Sequence, residues 1–348
     1  MDSINVDLIQ NNLLKKIKNT DETDDDETDD EDNKIIQIYS FFSINEINIS
    51  NKIKQINNYN NNYDVIKDYI FIKKTKIDKE INQDDNQKYI LITYNKNNYL
   101  YFNDFFCNLP NPKLFILHIL DSYTVLLNSL IKLNENNICF FNLSSKNIVF
   151  PQNFKPLIKG FNKSICIENI YKEDYILNII KNIKDYTHKP LEVHVLFYLI
   201  INKKETLSYS LIDIIITNYI KNMNILDLFN REKYKSICIE YLKQYINKPK
   251  IEIISDLLKC IHTWDNYSLS IIYLHIISNI SKVFSLKDNF INKFIILLFK
   301  NIYPNPLKRE TLQDTFNQYN NLYEEFTDWS FINTIPKKKI EELYEILF

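Results

Sequence analysis

The sequence predicts an α+β fold with a short strand-containing N-terminal part and a larger, mainly helical C-terminal part. Between Lys34 and Asp104, short apolar runs alternate or continue as strands do, and Asn-rich turns separate them. Residues 113–133 carry leucines on one broad helical face, and from Asp185 onward most apolar residues recur at helical spacing. These three observations define the fold class.

Length and composition limit the possible functions. The chain has 348 residues, 45% of them hydrophobic, and a formal net charge of −2. This length suits one large two-lobed domain or two smaller ones. The charge gives no indication of nucleic-acid binding, and we expect no apolar run of the roughly 18 residues that a membrane span needs. The start has no basic segment or cleavage site, so no signal peptide is expected.

Two residue types are informative. The five cysteines are scattered without a C-x-x-C pair, which predicts free core thiols in an intracellular, reducing compartment and no metal site. Gly160 is the single glycine, and Arg231 and Arg309 are the two arginines. Because Asn tolerates positive φ best after glycine, we expect Asn to make most of the turns.

The first 33 residues predict no part of the main fold. Met1–Asn19 has apolar residues at helical spacing and predicts a modest amphipathic helix. Thr20–Asn33 is an acidic run whose like charges repel, which predicts a disordered linker. The alternative is that this run attracts a basic partner.

Residues 34–98 predict a small unit of strands around one helix. The strands are Ile35–Phe42, Val65–Ile77 and Tyr89–Tyr94, and the helix is Ser43–Tyr59. The larger unit, residues 99–348, begins with a buried helix over 113–133. It ends with a helix over 336–348.

A polar loop after the predicted buried helix carries the most specific motif. It runs from Phe140 to Phe150 and reads FFNLSSKNIVF. Four fragments follow it in the chain: Gly160-Phe161-Asn162, Pro190-Leu191-Glu192, Trp264-Asp265-Asn266-Tyr267-Ser268, and Asn305-Pro306-Leu307-Lys308-Arg309.

In order and spacing these fragments resemble the large lobe of the eukaryotic-type protein kinases. The family pattern is H-R-D-L-x-x-x-N, followed about a dozen residues later by D-F-G. Asn142 stands in place of the loop Asp, Asn147 in place of the loop Asn, and Gly160, Phe161 and Asn162 in place of D-F-G. The combination also resembles the divergent kinase-like proteins of large nucleocytoplasmic DNA viruses, which would imply the host cytoplasm or the virion.

The resemblance implies a bilobed fold with a reduced N-lobe at 34–98 and an enlarged helical C-lobe at 99–348. It implies that Glu192 and Arg309 form a buried salt bridge, a pairing for which Lys is a poor substitute. Asp265 would accept backbone N–H groups of the loop or cap its own helix. The long interval between Glu192 and Asp265 implies a helical insertion at about 193–263.

The resemblance also implies that most of the phosphoryl-transfer apparatus is missing. Kinases use a Gly-rich loop, a strand Lys paired with a helix Glu, Mg²⁺ held by an Asp and an Asn, and an Asp that takes the proton. The carboxamide of Asn142 cannot accept a proton, and Gly160 offers Mg²⁺ no side-chain oxygen. One glycine cannot build the Gly-rich loop.

Several candidate residues keep two interpretations. Lys34 could pair with Glu46, although both are expected to be solvated charges. Lys146 could contact a phosphate or be an exposed surface lysine. Asn147 could hold a metal or brace its own loop.

The hinge residues Ile92 and Tyr94 are the predicted nucleotide contacts. Ile92 and Phe161 are the large side chains that could plug the cleft between the lobes.

Three functions remain open from the sequence. The first is a pseudokinase that binds a protein partner, with no cofactor, nucleic acid or membrane. The second is a weak ATP- and Mg²⁺-dependent protein Ser/Thr phosphotransferase in which an acidic residue from elsewhere replaces Gly160. The third is a helical structural protein without kinase ancestry, in which Asn142, Asn147 and Phe161 would not converge on one cleft.

Overall fold

The described part of the chain is a mixed α+β fold, as predicted. The predicted N-terminal helix, the acidic run up to Asp32 and the C-terminal helix lie outside it. Asn33, predicted as the last residue of the disordered linker, is instead the first residue of a strand. The computed structural model describes residues 33–72, 88–95, 98–109, 112–172, 174–183, 185–221, 223, 225–226, 230–283 and 289–325.

A three-stranded antiparallel sheet and one helix form the small unit. Strands β1 (Asn33–Ile38) and β3 (Ile66–Ile72) flank the central β4 (Tyr89–Tyr94), and helix α1 is Phe41–Ile53. The prediction for β4 is confirmed in full. A small core between the sheet and α1 consists of Ile47, Ile66, Ile90 and Ile92.

The prediction that β1 continues to Phe42 was wrong, because a helix cap ends the extended chain at Ser40. The Ser40 hydroxyl accepts a hydrogen bond from the backbone N–H of Ser43, and the Ser43 hydroxyl accepts one from the N–H of Ser40. This reciprocal pair satisfies two N–H groups of the first helical turn. Helix α1 therefore begins at Phe41, two residues before the predicted start.

A second sheet joins the small unit to the segments around the polar loop. The remaining strands are β2 (Tyr63–Asp64), β5 (Tyr99–Tyr101), β6 (Ile138–Cys139), β7 (Ile148–Pro151), β8 (Leu157–Lys159) and β9 (Ile165–Cys166). The strand order of the second sheet is β2-β8-β7-β5, and β2 pairs with β8 in parallel. A separate two-stranded ladder pairs β6 with β9.

The rest of the described chain is mainly helical and shares one large hydrophobic core. The predicted helical insertion contains α5 to α8 and, among its described residues, one isolated bridge between Leu207 and Ile246. The helices are α2 (Phe102–Cys107), α3 (Pro112–Glu135), α4 (Tyr175–Lys181), α5 (Leu191–Ile201), α6 (Tyr209–Lys221), α7 (Arg231–Lys243), α8 (Lys250–Leu258), α9 (Trp264–Val283), α10 (Asn289–Asn301) and α11 (Leu312–Glu325).

Helix α3 is apolar enough to cross a membrane by length and composition, over Leu114–Glu135. The prediction that no apolar run reaches that length was therefore wrong. Tyr123, Leu126 and Leu130 of this helix are fully buried in the core, and 56% of its most apolar stretch is buried inside the protein. Packing against α9 and α11 accounts for the apolar composition of α3.

All five cysteines are free, as predicted. Four of them are buried, but Cys107 at the end of α2 is exposed, so the expectation of core thiols was wrong at that position.

Candidate functional site

The polar loop is fixed to helix α9 by one buried carboxylate. Both oxygens of Asp265 accept hydrogen bonds, one from the backbone N–H of Phe140 and one from that of Phe141, each at 2.7 Å. Burial raises the pKa of Asp265, and the two N–H donors oppose that shift. The predicted anchoring role of Asp265 is confirmed.

Phe141 adopts a backbone conformation that is unusual for a bulky residue, with φ of 64°. Two groups hold Phe141 in this conformation, Asp265 and the buried ammonium of Lys189. The ammonium donates a hydrogen bond to the Phe141 carbonyl and lies 4.7 Å from the centre of the Phe141 ring. Burial lowers the pKa of Lys189 to about 8. Lys189 was missed, because its role depends on a contact between distant segments.

A second buried contact joins α5 to the chain after α10. The Arg309 guanidinium meets the Glu192 carboxylate through two hydrogen bonds of 2.8 Å, and both side chains are 0% exposed. Arg309 also donates to the carbonyl of Tyr303 and the hydroxyl of Thr263. The predicted buried salt bridge is confirmed, with the bidentate geometry that Lys cannot reproduce.

Asn142 and Lys146 have few constraints. Asn142 is half-buried, and its side chain makes no hydrogen bond within the described part of the chain. Lys146 is exposed in the short 3₁₀ turn Ser145–Asn147. Neither side chain pairs with a carboxylate among the described residues. The loop therefore supplies no general base at this point.

Asn147 braces its own loop. Its side-chain oxygen accepts a hydrogen bond of 2.8 Å from the Ser144 hydroxyl, and its amide nitrogen lies 3.3 Å from the Lys159 carbonyl oxygen. The amide therefore ties the loop to the end of β8, beside Gly160. The second of the two interpretations of Asn147 matches these contacts.

Gly160 is held in a conformation that favours glycine. Its φ is +81°, and a Cβ atom at this position would lie 3.1 Å from the amide nitrogen of Asn147. A side chain here would be strained in the backbone and crowded by Asn147. The position that resembles the metal-binding Asp therefore has no side chain and little room for one.

Phe161 and Asn162 dock helix α1 onto this segment. The Phe161 ring packs edge-to-face on Phe140 at 5.1 Å between centroids, and Phe161 is 1% exposed. The amide of Asn45 in α1 donates to the carbonyls of Asn162 and Ser164. The structure thus brings Asn147, Gly160 and Phe161 together.

Glu46 has a different partner from the one considered. It is 3% exposed, and its carboxylate accepts a hydrogen bond of 3.1 Å from the Tyr94 hydroxyl. Burial raises the pKa of Glu46, and the Tyr94 bond and the Phe161 N–H oppose that shift. The expectation of a solvated Glu46 was therefore wrong.

Strand register explains why Lys34 cannot reach Glu46. Lys34 lies opposite Thr93, whereas its neighbour Asn33 lies opposite Tyr94. Directly opposed residues of an antiparallel pair share one face, and successive residues alternate faces. Lys34 is therefore on the face away from Glu46, and it is exposed.

Of the predicted hinge residues, Ile92 is fully buried in the small core under α1, so it lines no open cleft. The hydroxyl of Tyr94 is already hydrogen-bonded to the Glu46 carboxylate.

A polar cluster that the sequence did not indicate lies next to Gly160. Asp64 on β2 pairs with Lys159 on β8 and is 4% exposed, and its Oδ1 atom has no hydrogen-bond partner among the described residues. Burial raises the pKa of Asp64, while Lys159 and the hydroxyl of Tyr99 oppose that shift. Lys159 donates to the Tyr99 hydroxyl. No sequence signal links Asp64 to Lys159, because their pairing joins segments far apart in the chain.

A cavity of about 350 Å³ lies between residues 185–187, α5 and α6. Aromatic side chains form much of its wall. No prediction was made for this cavity.

Within the described residues, no group of three or more His, Cys, Asp or Glu side chains could hold a metal ion. A scan against protein-family models and a search of curated proteins find no match for the chain. The kinase resemblance therefore rests on the motif order and on the contacts described above.

Proposed function

We propose that the protein is a degenerate protein-kinase-like protein, a pseudokinase, that acts by binding a protein partner. The proposal places residues 34–98 as a reduced N-lobe and residues 99–348 as an enlarged helical C-lobe. It also places the polar loop between Phe140 and Asn147 at the position of a catalytic loop.

Two contacts support the kinase-like assignment. Asp265 accepts both N–H groups at the start of the loop, and Glu192 pairs with Arg309. The family pattern alone predicts both contacts. They join four segments that are far apart in the chain. An unrelated helical protein would not be expected to make the same two contacts with the residues at these motif positions.

The main observation for an inactive site is Gly160, which stands at the position of the metal-binding Asp in the family pattern. A divalent ion such as Mg²⁺ binds oxygen ligands, usually with at least one carboxylate. Gly160 provides none, and a side chain there would be strained by the φ of +81° and would crowd the Asn147 amide. The oxygen of Asn147 is engaged by Ser144.

The remaining positions of the site support the same conclusion. Asn142 cannot take the proton of a hydroxyl group, a loss that typically lowers the rate by about 10²–10⁴-fold. Glu46 is bound to Tyr94, and Lys34 lies on the opposite face of the sheet. No described lysine pairs with Glu46 in the way that positions ATP phosphates in kinases.

The region between α5 and α9 is the proposed partner surface. It is the part of the C-lobe that exceeds the family pattern, and its helices carry large apolar side chains at the surface. The most exposed of these are Ile251, at 83%, and Tyr209, at 63%. Apolar side chains of this kind contribute to protein interfaces.

Thermal unfolding with Mg²⁺-ATP tests the proposal. Ligands that bind only the folded state raise the melting temperature by mass action. We expect the same melting temperature with Mg²⁺-ATP, with Mg²⁺ alone and with ATP in a chelator. A Mg²⁺-dependent rise that an Asn147→Ala variant abolishes would contradict it.

A second function, weak phosphotransfer, is favoured by Asp64 alone. This buried carboxylate has one unpartnered oxygen and is paired with the residue before Gly160. It is the acidic residue that an atypical enzyme would need in place of the missing Asp. Transfer of labelled phosphate from ATP to a generic protein that disappears in both Asp64→Asn and Asn147→Ala would support this function. Absence of transfer with Mg²⁺, Mn²⁺ and Co²⁺ would reject it.

A further inference from the structure

The cavity between α5 and α6 is separate from the degenerate loop, and its lining is chemically distinctive. Tyr186, His194, Phe197, Tyr198 and Tyr219 contribute five aromatic rings, and Asp185 contributes a carboxylate. We call this set the aromatic cavity. Its volume of about 350 Å³ is at the small end of the range for ligand pockets.

Four of the five rings of the aromatic cavity, those of Tyr186, His194, Phe197 and Tyr219, are packed against one another. The centroids of Tyr186 and Phe197 are 4.4 Å apart, and those of His194 and Tyr219 are 4.9 Å apart with the planes nearly perpendicular. Packed rings of this kind hold their positions without a ligand. Aromatic faces carry partial negative charge, and cages of such rings attract organic cations.

Asp185 adds a full negative charge to the cavity. Its Oδ1 atom accepts hydrogen bonds from the Thr187 backbone N–H at 2.9 Å and from the Thr187 hydroxyl at 2.6 Å. Its other oxygen has no hydrogen-bond partner within the part of the chain that the structure describes. Although burial acts in the opposite direction, the two Thr187 bonds lower the pKa of Asp185, so the carboxylate is ionised at neutral pH.

The cavity wall carries no opposing positive charge among the residues that line it. His194 is the one basic group there, and burial lowers its pKa to about 4, which keeps the imidazole neutral at physiological pH. The charge of Lys189 also helps to lower the pKa of Asp185, but its ammonium does not line the cavity and donates to the Phe141 carbonyl. The cavity therefore combines a ready anion with aromatic walls.

We infer that the aromatic cavity binds the ammonium or guanidinium group of a basic side chain presented by a protein partner. A neutral apolar ligand would cover the free oxygen of Asp185 without replacing its contact with water, which is unfavourable. An anion would be repelled by the same carboxylate. A cation satisfies the carboxylate and the ring faces together. This inference does not depend on the kinase resemblance or on whether ATP binds.

Titration calorimetry with blocked amino acids tests the inference. The first probe is N-acetyl-arginine N-methylamide, and its control is the citrulline derivative, which has nearly the same shape but no charge. The N-acetyl-lysine N-methylamide is the ammonium probe. We expect at least one charged probe to bind with a dissociation constant of about 1 mM, and about tenfold more tightly than citrulline.

Variants assign the binding to the cavity. Asp185→Asn keeps an oxygen for Thr187 but removes the charge, and we expect affinity to fall about tenfold. Phe197→Leu removes a ring, and we expect a fall of about threefold. Asp213→Asn is the control, because this carboxylate lies on α6, the helix that also carries the lining residue Tyr219, but it pairs with Lys235 and does not line the cavity. It should leave affinity unchanged.

Each other outcome overturns the inference. Equal binding of arginine and citrulline would show that charge is not recognised. Binding that is unchanged in Asp185→Asn and Phe197→Leu, with both variants melting like the parent protein, would place the site elsewhere. Binding of methylguanidinium or butylammonium without binding of either blocked amino acid would identify a small-molecule site and not a partner's side chain. No binding of any probe would remove the site.

Discussion

The two sides of the polar loop differ in how firmly they are held. On one side, toward α9 and α5, Asp265 and the Glu192–Arg309 pair are buried and fully hydrogen-bonded. On the other side, Gly160 and Asn142 provide no carboxylate of the kind that phosphoryl transfer uses. Buried charged groups hold the loop in place, but Asn142 and Gly160, which correspond in the family pattern to the catalytic and metal-binding Asp residues, are uncharged.

This difference separates contacts that stabilise the fold from positions that do not. Removing one partner of a buried ion pair leaves an uncompensated charge and destabilises the fold, whereas a carboxylate that only binds metal can disappear without structural loss. The side facing α9 is required for folding. In the proposed pseudokinase, the side with Gly160 and Asn142 is the one that phosphoryl transfer would use, and we expect the fold to depend on it less.

The largest expected effect follows from breaking the buried ion pair. Glu192→Gln leaves the Arg309 charge buried without its partner, and we expect a loss of about 3–5 kcal/mol in the free energy of unfolding, measured in urea. The matched control is Glu240→Gln, which breaks the exposed pair with Lys243 and should cost about 1 kcal/mol or less. Similar losses in the two variants would show that the buried pair has no special role.

The next effect concerns the anchor of the loop. Asp265→Asn turns one acceptor into a donor that faces a backbone N–H, and we expect a loss of about 3 kcal/mol in the same assay. The comparison is Asp314→Asn, an exposed carboxylate that accepts from the Thr311 hydroxyl. That change should cost about 1 kcal/mol or less. An Asp265→Asn protein as stable as the parent would show that the loop is held by other contacts.

A smaller effect is expected at Gly160. Gly160→Ala places a Cβ at positive φ against Asn147, and we expect a loss of about 1–2 kcal/mol. Gly160→Asn should be less destabilising, since Asn tolerates this backbone conformation better than Ala does. Greater stability of Gly160→Ala than of Gly160→Asn would mean that φ does not limit this position.

The smallest effects are expected at Asn142 and Lys146. Asn142→Asp and Lys146→Ala alter side chains without hydrogen bonds within the described chain, and each should change the free energy of unfolding by no more than about 0.5 kcal/mol. A loss above about 1 kcal/mol in either variant would show that these residues support the fold, and the contrast between the two sides would weaken.

Local patterns and the family resemblance predicted different parts of the structure. The short apolar run over residues 89–94 predicted β4 in full, and helical spacing predicted α3 to within two residues. The motif order predicted the contacts of Asp265, Glu192 and Arg309, which no periodicity could have indicated.

The misses have identifiable physical causes. The Asp64–Lys159 cluster depends on the parallel pairing of β2 with β8. The considered Lys34–Glu46 pair does not form because the register of β1 places Lys34 on the opposite face of the sheet. Neither is encoded in local spacing. Asn accounts for three of the seven positive-φ residues other than glycine in the described chain, so it did not make most of these turns. Phe141 adopts this conformation because Asp265 and Lys189 hold its backbone.

Direct titration of Mg²⁺-ATP into the parent protein and the Asp64→Asn variant, followed by calorimetry, tests the central claim most directly. The claim is that the anchored loop remains while the means of holding a metal-bound nucleotide has gone. It predicts no saturable heat in either protein, although both unfold cooperatively. Saturable Mg²⁺-dependent binding by the parent protein that Asp64→Asn abolishes would contradict it.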